Sequence, residues 1–256
     1  MKMKMLALVF SSLIAQSAFA AAEVNVYSTR QDELIKPIIQ QFEKETGIKV
    51  NVVFAKEGLN ERLEREGKLS PADLMLTVDI SRLTDLVDKD LVQPVDSKTL
   101  QENIPSIYRD PDNKWFALTT RVRAIYSSKD RLGKLDTIRY EDLVKPEFKG
   151  KICTRSGKHE YNVALVSSMI AHHGMADAKT WLEGVKANLA RKPQGNDRDQ
   201  VKAIKDGICD VSLGNSYYLG AMLKDPAQNS WADAVYINFP NQGDRGAHVN
   251  VSGVAM

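Results

Sequence analysis

From residue 24 to residue 95 the sequence switches repeatedly between two hydrophobic periods, and this alternation restricts the fold more than any other feature. Val24-Asn25-Val26-Tyr27-Ser28 alternates apolar and polar, as a strand does. Residues 32–45 then place Leu34, Ile35, Ile38, Ile39 and Phe42 at helical spacing on one face, and Gly47 ends the run. Pro37 lies early in this segment, which predicts a regular helix beginning near it. A second strand is predicted over 48–54 and a second helix over 59–66, stopped by Gly67. Ser70-Pro71-Ala72-Asp73 leads into a third strand at Leu74-Met75-Leu76-Thr77-Val78, and residues 80–87 form a third helix. Strands and helices in this order predict parallel strands joined by crossover helices.

Further along, residues 119–126 read as a strand carrying Arg121 and Arg123, whose spacing points both to one face. A short helix from Tyr140, a strand over 151–155, and helices over 156–170, 176–188 and 197–205 follow. Ile208-Cys209-Asp210-Val211-Ser212-Leu213 reads as a strand, and Gly220-Ala221-Met222-Leu223-Lys224 continues as a helix. Tyr217 and Tyr218 sit on the turn between them, where open α/β sheets collect ligand contacts. A bare tyrosine pair there is either such a contact or a packing ledge. Residues 231–239 are expected to be a strand region. Residues 248–256 form an apolar strand that stops abruptly, so the sequence is expected to be part of a longer chain.

The first twenty residues are set apart. Lys2 and Lys4 precede an apolar run over 5–14, and Ala18-Phe19-Ala20 supplies a small-x-small cleavage site, so residues 1–20 read as a signal peptide. The apolar run is too short to span a bilayer as a helix, so the mature protein is expected to be exported and soluble. Of 35 Lys+Arg and 33 Asp+Glu, Lys2 and Lys4 leave with the signal, and the remaining charges balance. A balanced, interspersed surface argues against nucleic-acid or membrane partners. Cys153 and Cys209 have no metal-ligand spacing. In an oxidising compartment they either pair across neighbouring strands or remain buried thiols. His172 and His173 are adjacent on a helix and diverge, so they do not chelate. The sequence holds no Gly-x-Ser-x-Gly, P-loop or His-Glu-x-x-His motif, which weighs against an enzyme.

Six segments in series carry a resemblance: Val26-Tyr27-Ser28-Thr29-Arg30, Ser70-Pro71-Ala72-Asp73-Leu74-Met75-Leu76-Thr77-Val78-Asp79, Leu118-Thr119-Thr120-Arg121-Val122-Arg123, Gly150-Lys151-Ile152-Cys153-Thr154-Arg155-Ser156, Gly207-Ile208-Cys209-Asp210-Val211 and Asn215-Ser216-Tyr217-Tyr218. Together they resemble the iron(III)-binding proteins of bacterial ABC transporters, the ferric-binding-protein and FutA-like group. The resemblance implies an α/β, two-lobed periplasmic-binding-protein fold of type II, each lobe a mixed sheet flanked by helices. The first lobe would comprise residues 23–120 and 249–256, incomplete at its C-terminal side, and the second residues 121–248. Strands near 121–126 and 248–254 would cross between them.

The resemblance also implies a site. Fe3+ is a hard cation that prefers anionic oxygen, and bound metal makes phenolate favourable although free tyrosine titrates near pH ~10. Tyr161, Tyr217 and Tyr218 are the implied metal ligands, all from the second lobe. Tyr27 is a further candidate, facing either the cleft or the core. Many relatives carry a His-Tyr pair after the first strand, where this sequence has Gln31 and Asp32. Asp32 is an oxygen donor or simply a helix N-cap. A synergistic anion such as carbonate would complete the coordination, held by Arg121 and Arg30 through their guanidinium forks. Arg123 is a weaker candidate, and all three are otherwise solvated or salt-bridged. The implied function is capture of Fe3+ in the periplasm by a monomer and delivery to an inner-membrane ABC permease. A two-lobed receptor for an oxyanion or polyamine, and an enzyme on a similar fold, are the competing readings.

Overall fold

The computed structural model describes residues 22–256. The expected signal peptide, residues 1–20, lies outside the described residues. The first part of the chain runs β1 (Glu23–Ser28), α1 (Asp32–Thr46), β2 (Lys49–Phe54), α2 (Leu59–Glu66), β3 (Leu74–Thr77), α3 (Ile80–Asp88) and α4 (Lys98–Asn103). After the long strand β4 (Trp115–Ser128) come β5 (Ile152–Cys153), α5 (Glu160–Ala187), α6 (Asp197–Lys205), β6 (Val211–Asn215), α7 (Tyr217–Lys224), α8 (Asn229–Ala232), β7 (Val235–Asn238) and β8 (Val249–Ala255).

Hydrogen bonding orders the strands β2-β1-β3-β8-β4-β6-β5, with β7 also on β4. β1 is parallel to β2 and β3, as strand–helix alternation requires. β8 runs antiparallel between β3 and β4. The single strand β4 serves two sheets. Its first half pairs with β8, and residues Arg123–Ser127 pair with β6 while its end pairs with β7. Gly253 allows β8 to lie this close, since a Cβ there would meet Leu83 Cδ1 and the Phe116 carbonyl oxygen, each at 2.7 Å.

Alternation along the strands divides the apolar residues among three cores. Tyr27, Leu59, Met75, Leu83, Leu86 and Val251 form the core of the first sheet. In the second, Ile125, Val211 and Leu213 face Tyr140, Leu165 and Trp181. Their neighbours Tyr126 and Cys153 face the opposite way, onto Val201, Ile204 and Met222. Cys153 and Cys209 form a disulfide with Cα atoms 5.9 Å apart, an ordinary spacing.

Several boundaries depart from expectation. α1 begins at Asp32 rather than near Pro37. Proline there lacks the N–H that would have reached the Glu33 carbonyl, a loss placed on an exposed stretch of the helix. Only Ile35 of the predicted apolar face is buried, while Leu34, Ile38 and Phe42 are 55%, 71% and 40% exposed. The helices expected over 156–170 and 176–188 form one run, kinked at Gly174, whose φ of 80° only glycine adopts freely. β6 starts three residues later than expected, at Val211, so α7 begins at Tyr217 itself. Trp231 lies in α8 rather than in a strand, which β7 supplies only from Val235.

Candidate metal centre

Tyr161 stands in the first turn of α5, the helix that His159 caps: the His159 Nδ1 accepts from the Tyr161 N–H at 3.2 Å. The next residue, buried Asn162, donates to Thr154 Oγ1 and to the carbonyls of Arg155 and Ser156, fixing the loop before the helix. Tyr217 and Tyr218 open α7, directly after β6. That junction is held from three sides. The Ser216 N–H donates to the Val122 carbonyl at 2.9 Å. Tyr126 donates to the Asn215 carbonyl at 2.8 Å, and the Asn215 N–H donates to Asp197 at 2.9 Å. Gly214 is required beneath it, because a Cβ would come within 2.6 Å of the Tyr126 ring.

These two supports bring three phenols together. The Tyr161 and Tyr217 hydroxyls lie 3.5 Å apart, and the Tyr217 and Tyr218 rings are 4.3 Å apart between centroids. Tyr217 is 46% exposed, so the cluster opens to solvent. Burial pushes the Tyr161 and Tyr218 hydroxyls well above the usual tyrosine range, and the neighbouring Tyr217 adds to the rise. Both are therefore neutral at physiological pH until a cation displaces their protons.

Guanidinium groups surround the cluster. Arg155, Arg121 and Arg123 lie 5.1, 5.2 and 5.9 Å from the Tyr161 ring centroid, and Arg198 lies 5.3 Å from that of Tyr218. Arg121 pairs with Asp79 at 2.5 Å, and Asn250 donates to the same Asp79 oxygen at 3.0 Å. Arg123 and Arg155 share Asp197, at 2.6 and 3.4 Å. Around Tyr161, three arginines thus face two carboxylates, an imbalance that favours an added anion. Arg121, Arg123, Tyr161, Asn215, His248 and Asn250 line a small cavity beside it. Burial takes the His248 imidazole down to about 4, so it is neutral there, and its Nε2 has no protein partner.

The first sheet contributes differently from expectation. Tyr27 faces the core rather than the cleft: it is 1% exposed, and its hydroxyl donates to the Glu66 carboxylate at 2.8 Å. Arg30 reaches Ser252 Oγ at 3.0 Å and Thr119 Oγ1 at 3.4 Å, tying the turn after β1 to β8 and β4 rather than meeting the tyrosines. Asp32 is the first helical residue and Gln31 occupies the cap, without a side-chain hydrogen bond. Arg123 is committed to buried neighbours rather than free for an anion. Asn162 and Asp197 carry no local motif that would have marked them, and Asp79 and Asn215 stand in segments that carry the resemblance without any sign of their partners. His159 is one step more legible, because its position two residues before Tyr161 suits a helix cap. Among the described residues no group of three or more His, Cys, Asp or Glu is placed to hold a metal ion.

The chain is similar to known proteins along most of its length. The family model described as bacterial extracellular solute-binding protein matches residues 70–243. Iron uptake protein A1 of Synechocystis sp. is 42% identical over 246 residues, covering 95% of this chain and 68% of that protein. The open conformation of Mannheimia haemolytica ferric iron-binding protein A superposes with a TM-score of 0.85 at 61% identity, over 92% of this chain and 74% of that one. Trichodesmium FutA, solved with iron and citrate, gives a TM-score of 0.86 at 41% identity, over 91% and 75%. The architecture is accordingly the two-lobed type II fold expected of the resemblance. With well over half its length matched by one family model and relatives of this identity along nearly all of it, the chain belongs to the bacterial extracellular solute-binding proteins.

Proposed function

We propose that the protein captures Fe3+ in the periplasm through the phenolates of Tyr161, Tyr217 and Tyr218, and delivers it as a monomer to an ABC permease of the inner membrane. The convergence of the three phenols carries this reading, with Tyr161 and Tyr217 hydroxyls 3.5 Å apart. The names of the relatives, iron uptake protein A1 and ferric iron-binding protein A, support it. Phenolate is the hard anionic donor that Fe3+ favours. An anion such as carbonate or citrate meets the excess of arginine and completes the coordination, with Arg121 facing it. Citrate accompanies iron in the Trichodesmium structure. Tyr27 and Arg30 are left out of the set by their other contacts.

The two lobes, residues 23–120 with 249–256 and residues 121–248, close on the metal about β4 and β8, as two-lobed receptors do. The protein binds and releases and performs no chemistry on its cargo. Because iron displaces phenolic protons, binding weakens as pH falls. Adding Fe3+ as its nitrilotriacetate complex to the mature protein should produce a visible tyrosinate-to-iron charge-transfer band and raise the thermal midpoint. A colourless protein with an unchanged midpoint overturns the reading. A band that survives intact in Tyr217→Phe and Tyr218→Phe rejects the ligand set while leaving iron binding standing.

A further inference from the structure

The three tyrosines come from two segments distant in the chain, α5 and α7, and one side chain joins the supports of both. Arg123 is 2% exposed and Asp197, its partner at 2.6 Å, is 0% exposed. The same guanidinium donates from Nη2 to Asn162 Oδ1 at 2.7 Å and from Nη1 to Asn215 Oδ1 at 3.2 Å. Asn162 adjoins Tyr161, and Asn215 lies two residues before Tyr217. Asp197 in turn accepts the Asn215 backbone N–H, so the ion pair holds the β6–α7 junction twice. Arg123 itself is fixed on the crossing strand, its N–H donating to the His248 carbonyl and its carbonyl accepting from the Tyr140 hydroxyl.

We infer that Arg123 is a positioning residue for the tyrosine cluster: its guanidinium fork locks the start of α5 to the start of α7, so that Tyr161, Tyr217 and Tyr218 are assembled before metal arrives. The inference rests on the proposed iron site. A planar fork is what the geometry uses, because the acceptors Asp197, Asn162 and Asn215 lie in different directions. Lysine supplies the charge but only a point-like ammonium. Preassembly matters because each phenol ordered on binding would subtract from affinity.

The test compares wild type, Arg123→Lys, and the neutral pair Arg123→Gln with Asp197→Asn, which avoids stranding a buried carboxylate. Each is titrated with Fe3+–nitrilotriacetate against citrate, and each is also labelled with 3-fluorotyrosine and observed by 19F NMR without iron. Folded variants are expected to bind iron about 10- to 100-fold more weakly, the range typical of groups that orient ligands, with a displaced charge-transfer band. Their iron-free resonances of Tyr161, Tyr217 and Tyr218 should broaden or split while those of Tyr27, Tyr108 and Tyr236 stay in place. A purely structural Arg123 would lower the melting temperature but leave the band and these resonances alone. Folded variants with wild-type band, affinity and resonances overturn the inference. If wild type itself develops no band, the iron reading fails, and the iron-free resonances still decide the role of Arg123.

Discussion

Single residues show where chemistry could be read from sequence and where it could not. The Tyr217-Tyr218 pair stands on a strand-to-helix turn, where side chains can project toward ligand, but alone it reads as readily as a packing ledge, and the resemblance made it a candidate ligand pair. Tyr161 depended on a resemblance, since nothing local distinguishes it from any helix-opening tyrosine. Tyr27 was ambiguous for a geometrical reason: alternation says that neighbours face opposite ways, but not which face the core occupies. The buried polar partners, Asp197 and Asn162, were invisible because their value lies in contacts 74 and 39 residues away, both to Arg123. Glu141 is another such residue. Its carboxylate accepts from Arg245 at 2.5 Å, His173 at 2.7 Å and Asn241 at 2.9 Å. Burial alone would raise this carboxyl, but the bonds from Asn241 and Arg245 outweigh it and hold the group at about 2. A folded value below the usual 4.5 contributes stability that is complete above that pH and is lost as pH falls toward 2. Glu141→Gln should therefore cost about 2 kcal/mol at neutral pH, the scale of a charged hydrogen bond. Urea unfolding at neutral and acid pH checks this, and a deficit that persists undiminished near the lower value rules out the linkage.

Elements were easier to find than their edges. The strands and helices of the first sheet follow the hydrophobic period, so β1, β2 and β3 with their crossovers were readable in order. The exposed stripe on α1 was not, because Leu34, Ile38 and Phe42 keep helical spacing with one another as well as with Ile35. Periodicity alone thus draws one broad face where the fold buries only part of it. Strand β5 has two residues and pairs parallel to β6, with Cys153 opposite Ser212. So short an element gains little from its own ladder, and the Cys153–Cys209 bond anchors it across a separation of 56 residues. Closing a loop of that length removes unfolded-state freedom worth about 2–4 kcal/mol. Cys153→Ser with Cys209→Ser should lower stability by that amount in denaturant titration under non-reducing conditions. The charge-transfer band of the folded variant should be unchanged, because the hydrogen bonds of Arg123, Asp197, Asn162 and Asn215 that fix the tyrosine-bearing helix starts involve neither cysteine. Equal stability in the two proteins would remove the anchoring role from the disulfide.

At the scale of the molecule, the joint between lobes and the grip of the site share the same strand. β4 carries Arg121 toward Asp79, at the start of α3, and Arg123 toward Asp197, at the start of α6, two residues apart on one face. Alternation predicted the shared face; it could not predict that the partners would lie on opposite sides of the joint. A second ion pair joins α3 to α5, where Arg82 meets Glu160 at 3.7 Å. Glu160 directly precedes Tyr161, so the contact links α3 to the helix that presents a proposed ligand. Both side chains are partly exposed, and a pair of this kind is worth about 0.2–1 kcal/mol, screened by salt. That energy is small for stability but large enough to shift an open–closed balance, since ~1.4 kcal/mol is already tenfold. Glu160→Gln should leave the melting temperature and the band position nearly unchanged while speeding iron release to citrate by roughly two- to fivefold. Wild-type release should accelerate with added salt more than the variant's, because only wild type keeps the exposed Arg82–Glu160 pair, which salt screens more than the buried Arg121–Asp79 pair. Stopped-flow decay of the charge-transfer band measures both rates. Identical rates and identical salt dependence would remove the Arg82–Glu160 pair from the control of release.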